Sequence, residues 1–142
     1  MNSQKSNLIL PPQPEILLPE GWPRPRGYVN GIVTKGTQIY LGGQIGWDEK
    51  GVFPDGIVAQ VRQTLENIVR LLEEAGATPQ AVVRLVWFVT DMEAYTGNLK
   101  QIGKVYRELF GTFYPTMTLV QVVRLVEPKA VVEIEATAVI PE

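Results

Sequence analysis

The chain has 142 residues, 45% of them hydrophobic, with 13 basic and 15 acidic side chains and neither cysteine nor histidine. That length suits one domain with a buried core, while the missing thiols and imidazoles exclude disulfides, thiolate nucleophiles, thiolate zinc sites, Ser-His-Asp triads and 2-His-1-carboxylate iron. Proton transfer is left to carboxylates, Tyr, Lys, water or the backbone, and a net charge of −2 offers no basic surface for tracking phosphates.

No apolar run approaches the roughly 20 residues that span a bilayer. Met1 to Ser6 is polar, not a charged start to an apolar signal core. The expectation is a cytoplasmic protein with neither nucleic acid nor membrane as partner.

Between Leu10 and Arg26 stand Pro11, Pro12, Pro14, Pro19, Pro23 and Pro25, which deny the backbone the donors a helix or central strand needs. Residues 1–26 therefore read as an extended arm whose Ile16, Leu17, Leu18 and Trp22 pack on the body or on a neighbour. Two β segments follow, Tyr28 to Val33 and Gln38 to Gln44, and Lys35-Gly36-Thr37 between them suggests a hairpin. Ile45 to Gly56 is a loop with a tight turn near Lys50-Gly51, and it carries Trp47.

From Ile57 to Ala75 apolar residues recur every three or four positions, which predicts a helix stopped by Gly76, with Gln60, Arg62, Gln63 and Glu66 mostly off the apolar stripe. Val82 to Thr90 reads as a buried strand, and Tyr95 to Phe110 as a second helix. Thr116 to Leu125 and Val131 to Ile140 are two more strands, turned at Glu127-Pro128-Lys129 and read as a second hairpin. The order β-β-α-β-α-β-β predicts an α+β fold, a mixed sheet with both helices on one face and the other face in need of cover. Alternation along the last strand puts Val132, Ile134, Ala136 and Ala138 on one side and Glu133, Glu135, Thr137 and Val139 on the other. A carboxylate inside such a strand points to a wet interface or a site.

Five strings in order resemble the RidA (YjgF/YER057c/UK114) family across residues 27–142. They are Gly27-Tyr28-Val29-Asn30-Gly31, Gly43-Gln44-Ile45, the helix from Ala59 to Asn67, Phe88-Val89-Thr90-Asp91-Met92, and Val122 to Leu125 followed by Val132 to Ala136. The resemblance implies a chorismate-mutase-like subunit, a homotrimer with ligand clefts between subunits, and no cofactor. Deaminase members of that family hydrolyse reactive enamines and imines to a 2-oxo acid and ammonia, with an arginine clamping the substrate carboxylate and a glutamate placing the water.

On that resemblance the clamping arginine of the Pro-Ala-Arg-Ser segment corresponds to Met117 in Pro115-Thr116-Met117-Thr118, a family serine to Gly42, and a cleft-facing helix asparagine to Gly103. A thioether supplies none of a guanidinium's paired, charge-assisted donors. Glu133 and Tyr28 remain as candidate catalytic residues, and Gly42, Gly43, Gln44, Trp47, Trp87, Gly103 and Met117 as candidate ligand-binding positions. Arg124 matches an arginine that the family carries besides the catalytic one and reads as a structural ion-pair partner. The implied function is a small-molecule-binding protein with weak or redirected imine hydrolysis. The alternative is a non-enzymatic trimer that senses a metabolite or engages another protein.

Overall fold

The computed structural model describes residues 14–142; the part of the arm before Pro14 lies outside the described residues. In chain order the elements are β1 (Glu15–Ile16), β2 (Ile32–Val33), β3 (Gly36–Ile45), α1 (Ile57–Glu74), β4 (Val82–Val89), α2 (Met92–Thr96), α3 (Leu99–Phe110), β5 (Thr116–Gln121) and β6 (Val132–Pro141). A four-stranded mixed sheet has the order β3-β6-β4-β5, and α1 and α3 pack on one face of it. The core lies between them. Val61, Leu65, Ile68 and Leu72 of α1 meet Leu85 and Trp87 of β4 and Ile134 and Ala136 of β6, all essentially without solvent contact.

The mixed α+β sheet and its two main helices match the sequence reading, but the pairing of strands corrects both expected hairpins. β5 does not turn back on β6; it runs parallel to β4, from Arg84↔Thr116 to Val89↔Gln121. A parallel neighbour needs a long crossover, which α2 and α3 supply, and this leaves β6 to insert between β3 and β4 as an antiparallel partner of both. At the other end, the segment from Tyr28 to Val33 does not fold onto β3. Its last two residues pair with β1, and Val29 donates its N–H to the Pro115 carbonyl at 3.0 Å, so the segment follows β5 instead. The arm thus enters the fold through a two-residue strand, and Ile16, Leu17 and Leu18 remain exposed on this chain.

The second predicted helix begins later than Tyr95. Asp91 caps α2 by accepting from the Ala94 N–H at 3.2 Å, and the chain breaks at Gly97 and Asn98 before α3. A further correction concerns Gln60, which sequence periodicity sets off the apolar stripe. It is buried, donating to the Pro54 and Lys129 carbonyls and accepting from the Val131 N–H, so one amide ties α1 to the loop before it and to the turn before β6. Gly46 makes that approach possible, since a Cβ there would stand 2.9 Å from the Gln60 backbone.

Candidate functional site

Alternation along β5 directs Met117 and Leu119 to the helix side, where Met117 packs against the core from its edge. The Val29 to Pro115 hydrogen bond holds Tyr28 alongside the start of the same strand. α3 closes the opposite wall. The result is a cleft of about 350 Å³ in which Tyr28, Trp87, Gly103 and Met117, four of the sequence-derived candidates, stand together. That volume is at the small end for ligand pockets.

Five aromatic side chains line the cleft. Trp87, only 1% exposed, packs edge-on to Tyr95 at 6.1 Å, and Tyr106 stacks on Tyr114 with centroids 5.3 Å apart. Burial raises the Tyr95 and Tyr106 phenol pKa values, the latter further because Tyr114 lies beside it, so both remain protonated donors at neutral pH. The Tyr106 hydroxyl already donates to the Phe113 carbonyl at 3.2 Å. The Trp87 indole N–H is buried without a hydrogen-bond partner among the described residues. Arg26 and Arg107 complete the lining, and no carboxylate joins them.

Sequence reasoning missed Arg26, Tyr95, Tyr106, Arg107 and Tyr114 as lining residues. Tyr95 and Tyr106 fall within the span read as the second helix, and the structure places them on α2 and α3. The signal available for Arg107 was its position four residues after Gly103, because side chains at that spacing share a helix face.

A second group forms on the opposite side of the sheet. The strand register slips between Leu41 and Gln44, making a bulge at Gly42 and Gly43. The Glu133 side chain lies over this bulge so closely that a Cβ on Gly43 would stand 2.5 Å from its Oε2. Gly42 opens onto free space, and the Gln44 side chain donates to the Gly42 carbonyl at 3.1 Å. Within one chain this group does not meet the cleft. Met117 and Glu133 lie on opposite faces, on strands separated by β4 and level with Leu85 and Phe88 respectively, so they are about 14 Å apart in the plane of the sheet.

Trp47 belongs to neither group. It stands on the loop after β3, tilted against Phe53 at 5.7 Å, and its carbonyl accepts from Asn67. Arg124 is exposed on the loop beyond β5, makes no ion pair among the described residues and does not line the cleft. Among the described residues no three acidic, histidine or cysteine side chains cluster, and no helix is long and apolar enough to cross a membrane.

A family model described as Endoribonuclease L-PSP matches residues 23–140. A RutC family protein of Pyrococcus horikoshii is 35% identical over 127 residues, which is 87% of this chain and 96% of its own. TdcF of Escherichia coli, named as a candidate reactive intermediate deaminase, is 35% identical over 117 residues, 79% of this chain and 85% of its own. Among solved structures, YyfB of Yersinia pestis, of the conserved Rid protein family, superposes with a TM-score of 0.78 at 29% identity, covering 89% of this chain and 98% of that one. Escherichia coli TdcF with bound serine superposes with a TM-score of 0.64 at 32% identity, covering 88% and 98%.

Proposed function

The chain belongs to the endoribonuclease L-PSP (YjgF/RidA) family, and we propose that it is a small-molecule-binding homotrimer whose imine or enamine hydrolysis is redirected away from the smallest 2-imino acids. The observation that carries this reading is Met117 in the wall of an aromatic cleft beside Tyr28, where the deaminase resemblance calls for a guanidinium. Losing a charged hydrogen bond to a carboxylate costs about 2–4 kcal/mol, roughly 30- to 1000-fold in binding or rate. With Gly42 and Gly103 in place of two further polar side chains, a substrate as small as 2-iminopropanoate has little to hold it.

Two features support assembly. The uncovered sheet face carries Tyr40, 72% exposed, and Val120, while the loop beyond β5 leaves Val123 97% exposed. In the trimer a neighbour covers this apolar surface and its Glu133 group faces the Met117 cleft, joining the two half-sites that one chain keeps apart. The Glu133 carboxylate then orients water for attack on the imine carbon. One water proton passes to the nitrogen as the carbinolamine forms, the proton of the new hydroxyl follows as the carbon–nitrogen bond breaks, and a 2-oxo compound and ammonia leave. The candidate partners are thus a small-molecule ligand and further copies of the chain, acting without a cofactor in the cytoplasm.

Light scattering tests the assembly, with three times the 15.8 kDa chain mass expected and a monomer at micromolar concentration fatal to it. Hydrolysis of enzymatically generated imines tests the chemistry. Wild type should be near background on 2-iminopropanoate and active on a larger substrate, Glu133→Ala should abolish the latter, and Met117→Arg should raise the former. Strong wild-type turnover of 2-iminopropanoate would overturn the reading.

A further inference from the structure

The cleft described above holds a cation that the loss at position 117 makes conspicuous. Arg107 sits in the last turn of α3, where a basic side chain ordinarily faces the free carbonyls of the helix C-terminus. Its guanidinium reaches back one turn, the direction in which helix side chains lean. A Cβ built on Gly103 would stand 3.2 Å from the Arg107 Nη1, so the glycine forms a notch over which the guanidinium lies on the cleft side of the helix. Neither Arg107 nor Arg26, across the mouth, makes an ion pair or side-chain hydrogen bond among the described residues. A glycine inside a helix costs roughly 0.5–1 kcal/mol relative to alanine, so its presence calls for a compensating role.

Two observations converge on one ligand chemistry. Two guanidinium groups, with no carboxylate from their own chain in the lining, outnumber the single Glu133 carboxylate a neighbour would bring and select an anion. Walls of Tyr28, Trp87, Tyr95 and Met117 select a flat apolar body.

We propose that Arg107, lying in the Gly103 notch, is the anion clamp of this cleft and that its ligand is an aromatic carboxylate. The inference rests on the reading that the Tyr28–Met117 cleft is the ligand site. It moves the clamp from the strand to the helix, so the carboxylate is held at the mouth and a ring, which 2-iminopropanoate lacks, fills the space up to Met117.

Calorimetric binding of phenylpyruvate to the assembled protein tests it, with pyruvate as the ring-less probe and benzamide as the uncharged one. Wild type should bind phenylpyruvate at least about tenfold more tightly than either. Arg107→Gln should weaken phenylpyruvate roughly 10- to 100-fold without changing benzamide binding. Arg124→Gln should leave phenylpyruvate binding unchanged. Gly103→Ala should raise the Tm through helix propensity while weakening phenylpyruvate by crowding the guanidinium. A purely structural Arg107 would, on substitution, change the affinity for charged and neutral probes by the same factor, and that result overturns the proposal, as does equal binding of pyruvate and phenylpyruvate. Loss on Arg26→Gln with none on Arg107→Gln also overturns it. A Met117→Trp variant separates the two levels. If it blocks phenylpyruvate while Arg107→Gln does not, the clamp is wrong and the cleft stands; if phenylpyruvate binds equally after Met117→Trp, the cleft itself is not the site.

Discussion

The helix side of the sheet is closed by its own chain: Leu85, Trp87, Ile134 and Ala136 lie under α1 and α3 with almost no solvent contact. On the other side, Glu133 and Glu135 alternate with those same residues along β6, Tyr40 stands in solvent, and the bulge at Gly42 and Gly43 interrupts the ladder. One side is built for stability and the other is shaped for contact. The candidate site is divided between them, with an aromatic, cationic cleft on the first and a carboxylate on the second. The proposed reaction therefore requires a neighbour, and substitutions on the two sides should differ in what they damage.

The largest effect should come from Gln60 on the closed side. Gln60→Ala removes a buried amide that makes three hydrogen bonds, leaves the Val131 N–H unpaired and opens a small cavity. A loss of about 3–4 kcal/mol in urea unfolding is expected. Gly46→Ala should follow, at about 1–3 kcal/mol, because its Cβ meets the Gln60 backbone, which cannot rotate aside. A change below 0.5 kcal/mol in either would show that α1 is held less tightly than its contacts indicate.

Gly43→Ala probes the other side, where the obstacle is the end of a flexible side chain. The added methyl group displaces the Glu133 carboxylate, so unfolding should shift by less than about 1 kcal/mol while imine hydrolysis falls as far as in Glu133→Ala. Equal losses of stability for Gly43→Ala and Gly46→Ala would erase the distinction between the faces.

The smallest effect concerns the exposed loop after β3. Asp48 accepts from the Val52 and Lys50 N–H groups at 2.9 Å, and these bonds hold its carboxyl below the ordinary value of 3.8. A depressed folded-state pKa contributes stability above 3.8 that disappears as pH falls through the lower folded value. Asp48→Asn should therefore lower the Tm slightly at pH 7 and not at all once the Asp48 carboxyl is protonated. A difference that persists in strong acid would assign the effect to loop geometry rather than charge.

Local chemistry wrote the faces of the elements into the chain. The period of 3.6 from Ile57 and the alternation from Val132 to Ala138 each name their buried side without reference to anything distant, because a side chain's direction follows from backbone geometry alone. The family strings also named Tyr28 and Met117, which the structure brings into one cleft, and Glu133, which it leaves on the other face. Strand partnership was another matter: whether β6 pairs with β5 or inserts between β3 and β4 depends on a crossover of two helices, and whether Tyr28 to Val33 pairs with β3 or follows β5 depends on one N–H finding the Pro115 carbonyl. The burial of Gln60 and the course of Arg107 over Gly103 are likewise set by groups far away in the chain or by the space a neighbour leaves. Periodicity records which way a residue points, whereas what it meets there is a property of the packed molecule, since pairing and packing energies are realised only when distant segments come together.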